Sequence, residues 1–509
     1  MPMFTPAQTA EDQPVYDLLI VGGGINGVGI AADAAGRGLK VLLCEQHDLA
    51  QHTSSASSKL IHGGLRYLEH YEFRLVREAL AEREVLLGKA PHIVKPMRFL
   101  LPHRPHLRPA WMIRAGLFLY DHLGKRKKLP GSNGVRLSAD NPLQSSIKRA
   151  FEYSDCWVDD ARLVVLNAMQ ARELGADVRT RTCCLSAKRE KGLWKATLQN
   201  ADGSEQAVSA RALVNAAGPW VARFIREDLK QRSPYGIRLI KGSHIIVPRL
   251  EGTEQAYILQ NEDQRIVFVI PYLDRFSMIG TTDVEYRGDP AEVAISEEEI
   301  DYLLRISNAH FKQQINREDV LSTFSGVRPL CDDESDEPSA ITRDYTLSLA
   351  VNPGEAPLLS VFGGKLTTYR RLAESALTQL KPFFPHQRGE WTAFAPLPGG
   401  ENISDAAELI QQLQQRFSWL TPSLAQRWAT TYGSRVWQWL DDVQYLEDLG
   451  QHIGAGLYSR EVDYLCRAEW AVSADDILWR RTKLGLSMSR PQQLALVHYL
   501  EKHPHCNAA

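Results

Sequence analysis

The N-terminal part of the chain carries an apolar segment that ends in a glycine-rich turn. Residues 16–21 read YDLLIV and lead into Gly22, Gly24 and Gly27, which have the spacing G-x-G-x-x-G. A stretch rich in Ala and Gly follows, and a second apolar segment ends at Glu45. Strand, glycine turn, helix and acid in this order predict a dinucleotide-binding βαβ unit rather than a simple flexible turn.

Each residue of this motif has a physical role. Gly22 permits the tight turn, Gly24 lets a pyrophosphate approach the backbone, and Gly27 lets the helix pack closely on the strand. The N-terminus of the helix supplies free N–H groups and partial positive charge. Glu45 would accept hydrogen bonds from ribose hydroxyls and disfavours a 2′-phosphate. We therefore expect FAD or NAD as the cofactor, in preference to NADP.

A serine-rich segment lies just downstream. Residues 53–68 read TSSASSKLIHGGLRYL, and an amphipathic pattern follows them. A flexible linker is the alternative, but the glycine pair and the cation favour a segment that covers the ribityl chain and the isoalloxazine ring of a flavin. The candidate cofactor-binding residues here are Ser54, Ser55, Ser58, His62, Gly63 and Gly64, with Arg66 as the adjacent cation.

Two later segments repeat the transition from an apolar strand to glycine. Residues 212–220 predict a buried strand that turns at Gly218. Residues 358–369 predict a strand, a glycine pair and the start of a helix, whose N–H groups could face the pyrimidine end of a flavin. The candidate residues in this second segment are Gly363, Gly364, Lys365, Leu366 and Thr367. These returns imply one nucleotide-binding domain that is assembled from separate segments.

With these motifs, the chain resembles the aerobic, FAD-dependent glycerol-3-phosphate dehydrogenases of the amino-acid-oxidase-like flavoprotein superfamily. The resemblance runs from about Asp17 through the Trp-rich C-terminal region. It is most specific over residues 54–71, 151–163, 235–248, 268–283 and 325–345. The resemblance implies oxidation of sn-glycerol 3-phosphate to dihydroxyacetone phosphate by hydride transfer to noncovalently bound FAD. It also implies that the electrons pass on to a membrane quinone.

A substrate with a phosphate dianion requires cations, and the planar fork of arginine binds two oxygens at once. Arg328 in TFSGVRPL and Arg343 in AITRDY stand in contexts typical of loop ends. From the residues alone, a solvated surface position is an equal alternative for each. The resemblance makes Arg328 and Arg343 phosphate ligands, with Arg66 beside the flavin as a third cation.

Oxidation of a secondary alcohol requires a base and an electrophilic partner. His244, in the segment KGSH, offers an imidazole whose ordinary pKa lies close to neutral pH, and a hydrogen-bonded structural histidine is the alternative. We predict that His244 is the base and that Lys365 or Arg66 stabilises the developing alkoxide. The roles of these residues could be exchanged.

The composition fits a large enzyme. With 509 residues and 44% hydrophobic residues the chain can form two or three domains, and a net charge of −2 does not favour nucleic acid as a partner. The seven cysteines have no C-x-x-C spacing, so the sequence predicts neither a disulfide framework nor a metal site. We expect no membrane-spanning helix and no signal peptide.

Residues 103–128 form an unusual segment for a soluble enzyme. Its middle is apolar and aromatic, with Trp111 and Tyr120, and basic clusters flank it, including residues 125–128. It is too short to span a bilayer but fits a helix in the interface of an anionic leaflet, with Trp111 and Tyr120 at the depth of the headgroups and residues 125–128 on the phosphates. A core helix with a basic loop is the alternative. The resembled enzymes are monotopic. We therefore expect a cytoplasmic protein that is peripheral or monotopic on the inner face of the cytoplasmic membrane.

The predicted fold is α/β: a discontinuous Rossmann-like FAD-binding domain, a substrate cap built on a mostly antiparallel sheet, and a C-terminal helical domain with six Trp as core residues. A Pro/Gly-rich linker precedes the helical domain, which could form a homodimer. The FAD-binding domain is predicted at 14–80, 150–225 and 355–385, the cap at 81–149 and 226–354, and the helical domain at 396–509.

Two other functions remain open from the sequence. The first is an FAD oxidase that acts on an amino acid or a secondary amine and reduces oxygen, which would not need the Arg328 and Arg343 pair. The second is a noncatalytic FAD-binding subunit or redox sensor, in which a bound flavin would not be reduced by small alcohols.

Overall fold

The structure is a computed structural model that describes residues 14–104, 109–331 and 344–503. These residues form two large β-sheets that are followed by a helical C-terminal unit. The strands are β1 (Val15–Val21), β2 (Val41–Cys44), β3 (Leu60–Ile61), β4 (Val94–Pro102), β5 (Asn133–Arg136), β6 (Arg149–Val158), β7 (Asp177–Arg179), β8 (Cys183–Glu190), β9 (Leu193–Gln199), β10 (Glu205–Asn215), β11 (Ile237–Pro248), β12 (Ala256–Gln260), β13 (Ile266–Tyr272), β14 (Phe276–Gly280), β15 (Val284–Tyr286), β16 (Ser322–Cys331), β17 (Thr346–Ala350), β18 (Leu358–Phe362), β19 (His452–Gly454) and β20 (Leu457–Tyr458).

Helices cover the sheets and build the C-terminal unit. They are α1 (Ile25–Gly36), α2 (Phe73–Lys89), α3 (Ala110–Leu123), α4 (Asp160–Glu173), α5 (Val221–Glu227), α6 (Glu297–His310), α7 (Tyr369–Leu380), α8 (Ala406–Arg416), α9 (Pro422–Tyr432), α10 (Trp437–Leu440), α11 (Ser459–Glu469) and α12 (Arg490–Lys502). None of the helices in the described ranges is long and apolar enough to cross a membrane.

The first sheet has the strand order β17-β18-β10-β1-β2-β7, and β9 and β8 extend it from β10. Strand β1 lies parallel to both β10 and β2, and β18 lies parallel to β10. Helices α1, α4 and α7 pack together in one hydrophobic core against this sheet. Eight of the eleven residues of β1 and β2 are apolar and buried, as expected for parallel strands that are covered by helices.

The second sheet has the order β15-β11-β14-β13-β12-β4-β6-β3, with β16 paired to β11 and β5 to β6. Apart from the parallel pair of β12 and β4, the pairings described for this sheet are antiparallel. The predicted fold class is therefore confirmed. The protein has one sheet with parallel central strands, a second, mostly antiparallel sheet and a helical C-terminal unit.

Three strands lie in a different sheet from the one that their predicted domain range implies. Strands β3 and β6 lie in the second sheet although most of their residues fall within the ranges 14–80 and 150–225 of the predicted FAD-binding domain. Strand β17 falls within the predicted cap but pairs with β18 of the first sheet. A short apolar run indicates a buried strand but carries no information about which sheet it joins.

The C-terminal unit has its own hydrophobic core. Of the six Trp residues predicted to be core residues, Trp428 and Trp439 are fully buried in it and Trp470 packs into the core of the first sheet. Trp479 is 40% exposed, so this side chain is not a core residue. A helical spacing of aromatic residues predicts one packed face but cannot assign each ring to it.

The turn between β1 and α1 brings three backbone segments together. Gly22 has φ +115°, and a Cβ at this position would lie 2.4 Å from the carbonyl oxygen of Ala216, just after β10. A Cβ at Gly27 would lie 1.9 Å from the carbonyl oxygen of Gly22. The absence of side chains therefore allows helix α1 to pack directly against the ends of β1 and β10.

We expect the substitution Gly27→Ala to destabilise the protein by about 3 kcal/mol or more, because the added methyl group must displace backbone atoms. The measurement is the temperature of the first unfolding transition in scanning calorimetry. The control is Gly88→Ala in α2, where a Cβ would meet no atom within 4 Å and a neutral to slightly stabilising effect is expected. Equal transitions in the two variants would contradict this account of the turn.

Candidate active site

A cavity of about 500 Å³ contains most of the predicted site residues. Its walls come from the strand ends of the first sheet, from the serine-rich segment and from β11 and β16 of the second sheet. The predicted residues that line it are Gly22, Gly24, Glu45, Ser54, Ser58, His62, Gly63, Gly218, His244, Arg328, Gly363, Gly364, Lys365, Leu366 and Thr367. Segments up to about 340 residues apart in sequence thus meet at one site.

Of the predicted residues that the structure describes, four are not among those that line the cavity. Gly27 lies in the helix contact described above. Ser55 directs its hydroxyl to the carbonyl oxygen of His52, at 3.2 Å. Gly64 and the half-buried Arg66 belong to the turn and the short helix that follow the cavity wall. Arg343 lies outside the described residues, so its predicted role stays a prediction.

The N-terminus of α1 faces the cavity at Gly24 and Ile25. The N–H of Ile25 donates to Ser54 Oγ at 3.0 Å, and Asn26 Nδ2 donates to the carbonyl oxygen of Gly363 at 3.1 Å. These two bonds join the glycine turn to the serine-rich segment and to the glycine pair after β18. The helix N-terminus and its partial positive charge are therefore held beside the serine-rich segment and the glycine pair after β18.

Glu45 follows β2 and lines the cavity. Its carboxylate accepts hydrogen bonds from the N–H of Gly23 at 2.6 Å and from the N–H of His47 at 2.8 Å. Burial raises the pKa of Glu45, and the two backbone N–H groups oppose that rise. Each carboxylate oxygen has a further lone pair, so this fixed group can still accept hydrogen bonds from a ribose.

The serine-rich segment is anchored by a buried ion pair that the sequence did not reveal. Lys59 Nζ lies 2.8 Å from Asp160 Oδ1 at the start of α4, and both residues are almost fully buried. Asp160 also accepts a hydrogen bond from Ser57 Oγ at 2.8 Å. These bonds fix the course of the chain between Ser54 and Ser58, which both line the cavity.

Strand β16 holds the other side of the same segment. Thr53 Oγ1 donates to the carbonyl oxygen of Val327 at 2.8 Å. A Cβ at Gly326 would lie 2.6 Å from the Cβ of Ala56, so the strand needs a glycine where the segment crosses it. The serine-rich segment therefore bridges the two sheets.

His244 lies on β11 with only 2% of its surface exposed. Its Nε2 is 2.9 Å from Ser58 Oγ, and its ring stacks on Phe324 with 4.7 Å between the ring centroids. Burial, followed by the nearby charges of Lys59 and Arg328, lowers the pKa of His244 to about 3. The imidazole is neutral at physiological pH and can accept a proton.

Arg328 on β16 reaches across to the face of β11 that carries His244. A Cβ at Gly242 would lie 2.7 Å from the Arg328 guanidinium, and Gly242 and His244 point to the same side of their strand. The guanidinium donates to the carbonyl oxygen of Thr282 at 3.2 Å and lies 3.5 Å from Asp283 Oδ1. A cation and a neutral imidazole thus line the same cavity from the same face of β11.

Lys365 follows the glycine pair and lines the cavity. Its ammonium group lies 4.0 Å from the centroid of the Tyr67 ring. That ring in turn covers Gly64, where a Cβ would come within 2.2 Å of it. The cation–π contact holds the ammonium group at this wall of the cavity.

Helix α3 supports the cavity wall at Gly63. The hydroxyl of Tyr120 accepts a hydrogen bond from the Gly63 N–H at 2.8 Å and donates to the carboxylate of Asp155 at 2.8 Å. Arg83 NH1 lies 2.7 Å from the same carboxylate, and all of these groups are buried. Tyr120 was expected at the depth of lipid headgroups, and this expectation is wrong because its hydroxyl is needed inside the protein.

Sequence reasoning missed several residues of this site, among them Gly242 and Gly326. The two glycines are directly paired in the register of β11 and β16. Glycine within a strand is typical of a close approach by another chain segment, so this signal was present in the sequence. By contrast, nothing in the sequence links Lys59 to Asp160, which are 101 positions apart.

The arrangement fits a dinucleotide. The helix N-terminus at Gly24 suits a pyrophosphate, Glu45 suits a ribose, and the glycine pair at the far wall lets a ring system approach the backbone.

Among the residues that the structure describes, no group of three or more His, Cys, Asp or Glu side chains could hold a metal ion.

Comparison with known proteins decides which dinucleotide is bound. Residues 17–370 match the family of FAD dependent oxidoreductases. The chain belongs to this family. Residues 391–498 match the C-terminal domain of alpha-glycerophosphate oxidase. The predicted cofactor FAD and the predicted superfamily are therefore confirmed, and the NAD alternative is excluded.

Curated relatives of this FAD oxidoreductase match it over nearly its full length. A glycerol-3-phosphate dehydrogenase of Pseudomonas aeruginosa is 73% identical, with 96% of each chain covered. The aerobic glycerol-3-phosphate dehydrogenase of Escherichia coli is 60% identical, with 96% of this chain and 97% of the relative covered. A D-erythritol 1-phosphate dehydrogenase of Brucella abortus is 52% identical, with 95% and 97% covered. The predicted resemblance to the glycerol-3-phosphate dehydrogenases is confirmed.

A solved structure shares the fold over the whole chain. The glycerol-3-phosphate dehydrogenase of Bacillus halodurans, which was crystallised with FAD, has a TM-score of 0.73 and 24% sequence identity. The alignment covers 98% of this chain and 96% of that one. The arrangement of two sheets and a helical C-terminal unit is therefore common to both proteins.

The low pKa of His244 has a consequence for stability. An unfolded histidine titrates near pH 6.5, whereas His244 in the folded protein titrates at about 3. Between these values the unfolded chain binds the additional proton, so the free energy of unfolding falls as the pH falls from 6.5 towards 3. The contribution of one histidine is about 1.4 kcal/mol per pH unit.

We expect the free energy of unfolding of His244→Gln to depend less on pH, by about 1.4 kcal/mol per pH unit, because one titrating group is removed. Denaturant unfolding between pH 5 and pH 7 measures this slope. The variant Phe324→Leu is the control, because it changes the packing against the same ring without removing a titrating group. An unchanged slope in His244→Gln would show that His244 is protonated in the folded protein.

Proposed function

We propose that this FAD oxidoreductase oxidises sn-glycerol 3-phosphate to dihydroxyacetone phosphate and passes the electrons to a membrane quinone. The observation that carries the proposal is that the Arg328 guanidinium and the neutral, buried His244 lie on the same face of β11 and line the same cavity. A phosphate-binding cation beside a proton acceptor suits a phosphorylated secondary alcohol. Relatives at 73% and 60% identity that are named glycerol-3-phosphate dehydrogenases support the same substrate.

In the proposed reaction Arg328 binds the phosphate through the fork of its guanidinium group. The space above Gly242 allows the guanidinium to reach the cavity, and its bond to the Thr282 carbonyl orients it. Arg343 and Arg66 remain predicted additional cations for the same dianion. The phosphate fixes the position of the alcohol carbon relative to His244.

His244 is proposed to take the proton of the C2 hydroxyl. In the structure Arg328 and Lys59 lower its pKa, and a phosphate dianion bound to Arg328 would offset those charges and raise the pKa towards neutrality. Ser58 orients the ring through its bond to Nε2. Bound FAD would supply the acceptor for the C2 hydride. Lys365 is proposed to stabilise the alkoxide that develops.

The first experiment is an anaerobic visible spectrum of the purified holoenzyme before and after addition of sn-glycerol 3-phosphate. Glycerol, D-alanine and D-erythritol 1-phosphate are the comparison substrates. Loss of the flavin band with sn-glycerol 3-phosphate, but not with glycerol or D-alanine, is expected. Reduction by D-alanine would favour an amino-acid oxidase, no reduction at all would favour a noncatalytic subunit, and faster reduction by D-erythritol 1-phosphate would change the substrate.

Rapid mixing of the same components separates substrate binding from chemistry. We expect Arg328→Met to raise the substrate concentration for half-maximal reduction at least 30-fold, because a charged hydrogen-bond partner of the phosphate is lost. We expect His244→Ala to lower the limiting rate about 10²- to 10⁴-fold with much less effect on half-saturation. Each variant is the control of the other. A loss of limiting rate in Arg328→Met together with a raised half-saturation in His244→Ala would contradict the assigned roles.

The acceptor can be tested with the reduced enzyme. We expect a water-soluble quinone to restore the flavin band much faster than dissolved oxygen does. Preferential reoxidation by oxygen would instead favour the oxidase alternative.

We also propose that helix α3 contacts an anionic membrane surface. Trp111, Met112, Phe118 and Leu119 lie on one face of this helix and are 71%, 46%, 57% and 44% exposed. The opposite face, with Ile113, Leu117 and Tyr120, is buried. An exposed apolar face of this kind suits the interface of a bilayer, and the basic residues 125–128 just after the helix suit anionic headgroups.

We expect the double substitution of Trp111 and Phe118 by Ser to reduce binding to vesicles that contain anionic lipid by at least tenfold, in a sedimentation assay. Charge reversal at Arg126, Lys127 and Lys128 should reduce binding mainly at low salt. The control is Phe394→Ser, which removes an aromatic ring that is 90% exposed elsewhere in the chain. Unchanged binding of the α3 variants would rule out this helix as the membrane contact.

A homodimer through the C-terminal unit stays a prediction.

A further inference from the structure

A segment of the C-terminal unit contacts both loops that border the cofactor cavity. It comprises the π-helix Asp476–Arg481 and the two residues that follow it. One contact is with the loop after β2, and the other is with the start of α4, behind the serine-rich segment. We name residues 476–483 the C-terminal clamp.

The first contact is a buried arginine–carboxylate pair. Arg481 donates from both terminal nitrogens to the two oxygens of Asp48, at 2.7 and 2.8 Å, and Arg480 adds a bond of 2.5 Å. Arg481 and Asp48 are 0% and 1% exposed. A bidentate pair of this kind fixes both distance and orientation. Removal of Arg481 deprives the buried Asp48 of its bidentate partner and leaves it with the single bond from Arg480.

Asp48 lies within a loop that carries five cavity residues. Glu45 and Gln46 precede it, and Ala50, Gln51 and His52 follow it. The N–H of Asp48 donates to Gln51 Oε1 at 3.2 Å, and the N–H of Gln51 donates to the Asp48 carbonyl oxygen at 3.2 Å. The position of Asp48 therefore determines where the side chains of this loop meet the cavity.

The second contact is with the start of α4. The ammonium group of Lys483 forms an ion pair with Asp159, which caps the N-terminus of α4. The next residue, Asp160, holds Lys59 and Ser57 of the serine-rich segment. Through two adjacent carboxylates, the clamp therefore also supports the segment predicted to cover the flavin.

We propose that the C-terminal clamp retains FAD by holding these two loops in their cofactor-binding arrangement. Arg481 is a positioning residue in this proposal, because it acts through Asp48 and is not among the described residues that line the cavity. The proposal assigns a function to the C-terminal unit, whose residues suggest no chemistry of their own. It rests on the FAD-binding family of the chain and is independent of the substrate.

The test is the rate at which the holoenzyme releases FAD after dilution, followed by the rise in flavin fluorescence. We expect Arg481→Met to release FAD at least tenfold faster than the unmodified protein. The matched control is Arg427→Met. Arg427 forms an equally bidentate pair with the buried Glu461, at 2.5 and 2.8 Å, but within the C-terminal unit. Its release rate should stay within twofold of the unmodified protein.

Release at the unmodified rate in Arg481→Met, or equal acceleration in Arg427→Met, would overturn the proposal. If Arg481→Met does not fold, Asp48→Asn tests the same pair with little change of shape, and we expect at least threefold faster release. An unchanged rate in this variant would also overturn the proposal. Saturating FAD should restore the flavin absorption of the clamp variants, whereas failure to recover would show that the clamp supports folding alone.

Discussion

The site depends on the direct contact between helix α1 and the ends of β1 and β10, which exists because Gly22 and Gly27 lack side chains. This contact sets the depth at which the N-terminus of α1 lies and hence where its N–H groups converge. Glu45, Gly218 and Gly363 each follow a strand of the same parallel sheet, so they arrive at the same edge. The close packing at Gly22 and Gly27 therefore positions the residues on the cofactor side of the cavity.

The second sheet carries the residues proposed for the chemistry. His244 and Arg328 come from the paired strands β11 and β16, whose hydrogen-bonded register fixes the relative positions of their backbones. The serine-rich segment joins this pair to the cofactor side, because it is bonded to His244, to β16 and to Asp160. The proposed substrate-binding residues and the cofactor side thus share one rigid connection, and burial together with the charges of Lys59 and Arg328 lowers the pKa of His244.

The sequence was informative where the signal is local. The spacing from Gly22 to Glu45 predicts the βαβ unit, because the turn, the helix and the acid are consecutive in the chain. It did not reveal that the hydroxyl of Ser55 bonds to the carbonyl oxygen of His52, since the direction of a side chain in an irregular loop depends on its local contacts. The pair of Arg481 and Asp48 joins residues 433 positions apart, and no pattern within either segment indicates the other.

Helix α3 has a different character on each side. Trp111 and Phe118 are exposed on its outer face, while the hydroxyl of Tyr120 on the inner face accepts a hydrogen bond from Gly63 in the cavity wall. Only one helix, about 10 Å across, therefore separates the aromatic surface from the backbone that encloses the cofactor cavity. Whatever surface α3 rests on lies within short range of that cavity. The helix also fixes the angle at which the cavity faces that surface.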